Sequence, residues 1–154
     1  MIERTLADEQ ATAQLGAAVA RLLRRGEAVC LFGPLGAGKS TLARALIRAL
    51  TSPDEDVPSP TFTLVQTYPA KAFEIAHFDL YRLTSAAEAD ELGLDEALET
   101  GVALIEWPQR LEGRLPADRL DIHLSLLDDA GEGRLAHLEG FGIWSGRERE
   151  LVDG

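Results

Sequence analysis

Hydrophobic positions along this chain follow two rhythms, and their alternation outlines the architecture. Between residues 8 and 25, Leu15, Val19, Leu22 and Leu23 recur at helical spacing, with Thr5 or Asp8 as available caps and Gly26 as a stop. Ala28, Val29, Cys30, Leu31 and Phe32 then form an unbroken apolar run, the pattern of a strand covered on both faces. Residues 41–50 are rich in Ala, Leu and Arg without Gly or Pro, so a second helix is expected there, ended by Thr51, Ser52 and Pro53.

After a loop of acids and prolines over 54–60, the rhythm changes. Residues 63–68 and 73–78 are rich in β-formers and joined by a short link, which predicts an antiparallel pair. Residues 85–92 and 95–99 read as short helices on either side of Gly93. Val102, Ala103, Leu104 and Ile105 make a second buried strand. Residues 119–126 and 134–141 alternate around a turn at 128–131 and predict a second hairpin, and the last ten residues read as a polar tail. With 154 residues, one domain spanning 1–154 is expected.

Composition narrows the function classes. Hydrophobic residues make up 45% and charged residues 27%, and no apolar run approaches the roughly 20 residues of a membrane span, so no membrane association is expected. The first residues show no basic segment leading into an apolar one, which leaves the cytoplasm as the expected compartment. The single cysteine, Cys30, lies inside an apolar run and reads as a small buried hydrophobe. A formal net charge of −11 speaks against the broad basic face that sequence-independent nucleic-acid binding requires. The local cluster Arg21, Arg24 and Arg25 falls at a predicted helix end, where cations complement the dipole.

Between the first apolar run and the second helix stands Gly33-Pro34-Leu35-Gly36-Ala37-Gly38-Lys39-Ser40. Glycines at these positions let backbone N–H groups turn inward as an anion cradle, which a Cβ would obstruct. Lys39 is then placed to reach the β- and γ-phosphates and the Ser40 hydroxyl to bind Mg2+, with the helix dipole adding to both. The pattern points to ATP with Mg2+ and to an α/β architecture. The expected fold is the P-loop NTPase fold, a mostly parallel central sheet with antiparallel hairpins, flanked by helices.

Hydrolysis needs carboxylates as well. Glu106 follows the second buried strand, and Asp79 follows Ile75-Ala76-His77-Phe78 in the same manner. Each stands where a carboxylate at the C-terminal edge of a parallel sheet faces bound phosphates, the alternative being a solvated acid at a strand end. In a chain with 26 acids, position matters more than identity. Thr61 and Thr63 have two readings, a hydroxyl on a switch-like segment that contacts the γ-phosphate or metal, or a capped turn entering a strand. His77 is either a general base or a packed, hydrogen-bonded histidine. Trp107 stacks on a base, sits at a partner interface, or is a half-buried core aromatic.

Four motifs occur in order: the loop at 33–41, Ser59-Pro60-Thr61-Phe62-Thr63-Leu64-Val65, His77-Phe78-Asp79-Leu80-Tyr81-Arg82-Leu83, and Leu104-Ile105-Glu106-Trp107-Pro108. Together they resemble the TsaE (YjeE) family over roughly residues 5–127. The resemblance implies a bacterial cytoplasmic ATPase required to form threonylcarbamoyladenosine beside the anticodon of tRNAs that read codons beginning with A. It implies TsaD and TsaB as partners, with tRNA met only through that complex. Position by position, it makes Gly36, Ala37, Gly38, Lys39, Ser40 and Thr41 the nucleotide loop and Ser40 and Glu106 metal ligands. Asp79 becomes a further acid at the metal, Thr61 the switch-like residue, and Glu9 and Arg134 additional nucleotide contacts. Ser40 departs from the threonine usual in the family, keeping the hydroxyl and losing a methyl. No firm match extends beyond Leu127.

Two rival classes share the loop. A small P-loop kinase usually closes arginines over the phosphates, and residues 51–60 contain none. A GTPase takes guanine selectivity from Asn-Lys-x-Asp, and this chain contains no asparagine.

Overall fold

The two unbroken apolar runs lie side by side as parallel strands at the centre of a single sheet. The computed structural model describes residues 1–60, 63–127 and 131–152. Its strands are β1 (Ile2–Leu6), β2 (Ala28–Phe32), β3 (Val65–Pro69), β4 (Glu74–Asp79), β5 (Gly101–Glu106), β6 (Arg119–Leu126) and β7 (Arg134–Phe141). Its α-helices are α1 (Glu9–Leu22), α2 (Lys39–Leu50), α3 (Glu88–Glu91) and α4 (Leu94–Thr100). The sheet runs β1-β7-β6-β2-β5-β4-β3. The four central strands, β6, β2, β5 and β4, are mutually parallel, and the β3/β4 pair and the β6/β7/β1 group close the two sides with antiparallel pairings. This is the expected α/β fold, a mostly parallel centre carrying antiparallel hairpins.

Strand alternation divides the core into two layers. Val29, Leu31, Val102, Leu104, Leu120 and Ile122 pack on one side with Leu15 and Val19 of α1 and Leu42 and Leu46 of α2. Ala28, Cys30, Ala103, Ile105 and Phe78 pack on the other with Ala89 and Leu94 of the short helices. Helix α1 is capped by Asp8, whose side chain accepts from the Ala11 amide. Helices α1 and α2 approach closely at Gly16, where a Cβ would come within 2.5 Å of the Leu42 carbonyl oxygen. Burial and the neighbouring Asp121 push the Cys30 thiol well above its ordinary pKa, as suits a structural thiol.

The chain departs from its sequence reading at both ends. Ile2–Leu6 is an edge strand paired antiparallel with β7, although only five residues of mixed polarity announce it. The last ten residues were expected as a polar tail, and residues 145–152 instead cover the α1 side of the core. Short 3-10 helices at Gly142–Trp144 and Arg147–Leu151 bury Trp144, Glu148 and Leu151. The polar residues of this segment have found buried partners. Arg147 Nη1 lies 2.6 Å from Glu27 Oε2, and Trp144 Nε1 donates to Glu27 Oε1 at 3.0 Å. Of the helix expected over 85–92, only Glu88–Glu91 is regular, with turns before it. No helix of the described residues is long and apolar enough to cross a membrane.

Candidate active site

Strand β2 ends at Phe32, and the glycine loop carries the chain straight into α2, so the helix N-terminus opens beside the C-terminal edge of the parallel strands. Gly33, Gly36 and Gly38 have φ of 147°, 82° and 103°, conformations that L side chains rarely adopt. A Cβ at Gly33 would meet the Leu124 carbonyl oxygen at 2.6 Å, while one at Gly36 would meet nothing within 4 Å and would project into open space over the loop. Lys39 begins the helix and is only 5% exposed. Its Nζ donates to the Gly33 carbonyl at 2.6 Å and lies 3.6 Å from the centroid of the Trp107 ring. Burial holds this ammonium below the ordinary lysine range, an effect partly offset by Glu106 and Asp79. Ser40 is exposed on the first turn.

Two acids face this loop. In the parallel register of β4 and β5, Asp79 stands opposite Glu106, each the last residue of its strand. Period-two alternation puts both on the side of Ile75 and Val102, the layer that holds α1 and α2. They are 8% and 5% exposed. Asp79 Oδ1 accepts from the Tyr81 amide at 3.1 Å, and Glu106 Oε2 lies 2.7 Å from His77 Nε2. Of the two readings of His77, the packed and hydrogen-bonded one describes its surroundings. Trp107 follows Glu106 with φ 60° and ψ 48°, is half-buried, and packs on Tyr81 with ring centroids 4.9 Å apart.

A cavity of about 400 Å3 joins these parts. Gly36, Gly38, Lys39, Ser40, Thr41, Asp79, Glu106 and Trp107 line it, and so do Glu9 and Arg134, which come from opposite ends of the sequence. The Thr41 hydroxyl lies 3.5 Å from Glu9 Oε1. Arg134 Nη2 donates to the Gly36 carbonyl at 3.0 Å and its Nε to the Ala37 carbonyl at 3.1 Å, so the guanidinium braces the loop from behind while bordering the cavity. Ala37 itself is fully buried and is not among the residues that line the cavity. Thr61 lies outside the described residues. Thr63, the other hydroxyl of that segment, is exposed and precedes β3. Two lining residues, Thr12 and Glu132, are absent from the sequence reading, and a third, Ser59, has no role in it. Ser59 opens the second of the four motifs and Glu132 lies two residues before Arg134, whereas nothing in the periodicity of α1 distinguishes Thr12.

The donor set fits a magnesium nucleotide. Inward-turning backbone and a helix N-terminus suit an anion. Magnesium is commonly held by one or two carboxylates plus the oxygens of its phosphate ligand, and Asp79, Glu106 and the Ser40 hydroxyl provide such a set. Among the described residues, no group of three or more His, Cys, Asp or Glu forms a site of its own for a metal.

The family model described as Threonylcarbamoyl adenosine biosynthesis protein TsaE matches residues 6–134. A tRNA threonylcarbamoyladenosine biosynthesis protein TsaE from Rickettsia bellii is 41% identical over 124 residues, covering 80% of this chain and 86% of that protein. Its namesake from Aquifex aeolicus is 35% identical over 128 residues, covering 82% and 89%. The crystal structure of Bacillus subtilis YdiB superposes with a TM-score of 0.74 at 26% identity, covering 97% of this chain and 90% of that one. The match includes the glycine loop, both strand-end acids and Arg134, and on it the chain belongs to the TsaE family.

Proposed function

We propose that this protein is a magnesium-dependent ATPase of the cytoplasm that serves tRNA modification. In this reading, ATP binding and hydrolysis act on a complex of TsaD and TsaB proteins. That complex forms threonylcarbamoyladenosine beside the anticodon of tRNAs reading codons that begin with A. The names of the relatives support the pathway. The observation that carries the nucleotide chemistry is the in-register pair Asp79 and Glu106, buried at adjacent strand ends on the cavity that Lys39 and Ser40 also line.

Each residue then has a task. The backbone N–H groups of residues 36–41 hold the phosphates, and the α2 N-terminus complements their charge. Lys39 exchanges the Gly33 carbonyl for a phosphate oxygen, recovering a charge-assisted bond for a partly desolvated ammonium. Ser40 and Glu106 hold the metal, and Asp79 is a further acid beside it. The bound Mg2+ supplies charge neutralisation of the phosphates during phosphoryl transfer. Thr61 is proposed as the switch-like hydroxyl, and Glu9 and Arg134 as contacts at the rim. A net charge of −11 suits a protein that reaches tRNA through partners.

The test is the threonylcarbamoyladenosine content of tRNA in cells that rely on variants of this protein. Lys39→Ala and Glu106→Ala are each expected to lower it severely, the first by loss of nucleotide binding and the second by loss of turnover. Normal modification with either variant as the sole copy overturns the proposal.

A further inference from the structure

Among the buried polar side chains that the nucleotide reading leaves without a task, His77 touches a strand-end acid directly. His77 is 2% exposed, and it sits two residues before Asp79 on β4, with its side chain on the same side of the sheet. In the β4/β5 register it lies opposite Leu104, one pleat deeper than the acids. Its Nε2 is 2.7 Å from Glu106 Oε2, and its Nδ1 is buried with no hydrogen-bond partner.

These contacts favour one tautomer. An ionised carboxylate only accepts, so the bond needs an N–H at Nε2. A proton on Nδ1 would bury a donor with nothing to receive it, which is unfavourable. The same facts remove His77 from general-base duty, because the nitrogen nearest the acids is engaged and the other is enclosed.

We propose that His77 is a positioning residue for Glu106, donating from the Nε2–H tautomer to Oε2 and so fixing the carboxylate with Oε1 available to a cation. This rests on the magnesium–nucleotide reading of the cavity. A hydrogen bond to Oε2 orients the acid, and such outer partners typically govern metal affinity by about 10–100-fold. His77 thus acts on the metal through Glu106, whereas the phosphate cradle is built independently by the glycine loop and α2.

The experiment measures ADP binding by calorimetry with and without Mg2+, for wild type, His77→Phe and His77→Gln. It is joined by 15N NMR of histidine-labelled wild-type protein, with the His77 resonances identified by their absence in His77→Gln. His77→Phe is expected to lose about tenfold or more of the magnesium-dependent affinity while its magnesium-free affinity stays unchanged. His77→Gln, which retains an N–H at the corresponding position, is expected to keep most of it. The NMR spectrum is expected to show the Nε2–H tautomer, a result that does not depend on the folding of His77→Phe. Undiminished magnesium dependence in a folded His77→Phe protein, or an Nδ1–H tautomer in the wild type, overturns the inference. Wild-type ADP affinity indifferent to Mg2+ overturns the metal reading itself, and the spectrum then still decides the contact with Glu106.

Discussion

Lys39 Nζ lies 3.6 Å from the centroid of the Trp107 ring, so the cation of the phosphate loop rests on the residue that follows the strand-end acid Glu106. A cation over an aromatic face contributes about 0.5–2 kcal/mol, comparable to a net hydrogen bond. Trp107 holds its position with a left-handed backbone, φ 60°, which is uncommon for a bulky residue. The pairing links the state of the loop to a chromophore.

Nucleotide binding is therefore expected to change the fluorescence of Trp107 as Lys39 moves from the ring to a phosphate. Trp144, the other tryptophan, is fully buried against Glu27 and supplies a constant background. Titration with ADP should alter the emission of wild-type protein and leave that of Trp107→Phe unaltered. An equal change in both proteins contradicts the coupling.

Replacing Lys39 by Met should abolish nucleotide binding without lowering the stability of the nucleotide-free fold. Burial depresses the Lys39 pKa below the ordinary value of 10.5, so between the two values the native state binds fewer protons than the unfolded chain. The Lys39 contribution to stability therefore rises with pH across that window, up to about 10.5. Denaturant unfolding of wild type and Lys39→Met at a series of pH values isolates it, and the difference should shift toward the wild type as pH increases.

Arg134 joins the last hairpin to the loop by donating to carbonyls of both, those of Gly36 and Ala37 on one side and those of Gly131 and Gly133 on the other. Lysine cannot reproduce that fork. Arg134→Lys is expected to weaken ADP binding about tenfold, equivalent to ~1.4 kcal/mol, as measured by calorimetry. Unchanged affinity would mean that the loop needs no brace.

The C-terminal segment makes a different prediction, one of stability alone. Arg147 pairs with Glu27, whose side chain is 3% exposed and which also accepts from Trp144 and the Arg24 amide. Removing one partner of a buried pair costs about 3 kcal/mol or more, so Arg147→Ala should lower the melting temperature by roughly 10 °C. Nucleotide affinity, measured below that transition, should stay the same.

These two regions also show what could be read in the chain. The glycine loop and Glu106 were legible because each comes at the end of an unbroken apolar run, and Asp79 because it ends a segment rich in β-formers; chain order then places them at one sheet edge. The hairpin Arg119–Leu126 and Arg134–Phe141 was legible for the same reason, since its alternation is local. Strand β1 and the C-terminal segment were not, because their partners are distant. β1 pairs with β7, and Arg147 meets an acid 120 positions away, so local polarity suggested solvent where tertiary contact supplies burial. His77 carried two readings until the sheet register brought it against Glu106. The hydroxyl at Thr61 lies outside the described residues, and its role rests on the family resemblance.

The central claim is that ATP turnover here serves the partner complex, and ATP hydrolysis with and without purified TsaD and TsaB proteins of the same organism tests it most directly. Hydrolysis should be stimulated by the two partners together and reduced on the order of a hundredfold in Glu106→Gln, the scale for removing one electrostatic group at a reacting centre. Hydrolysis indifferent to the partners, or ADP formation that depends on a small phosphate acceptor instead, would contradict the account and favour a kinase.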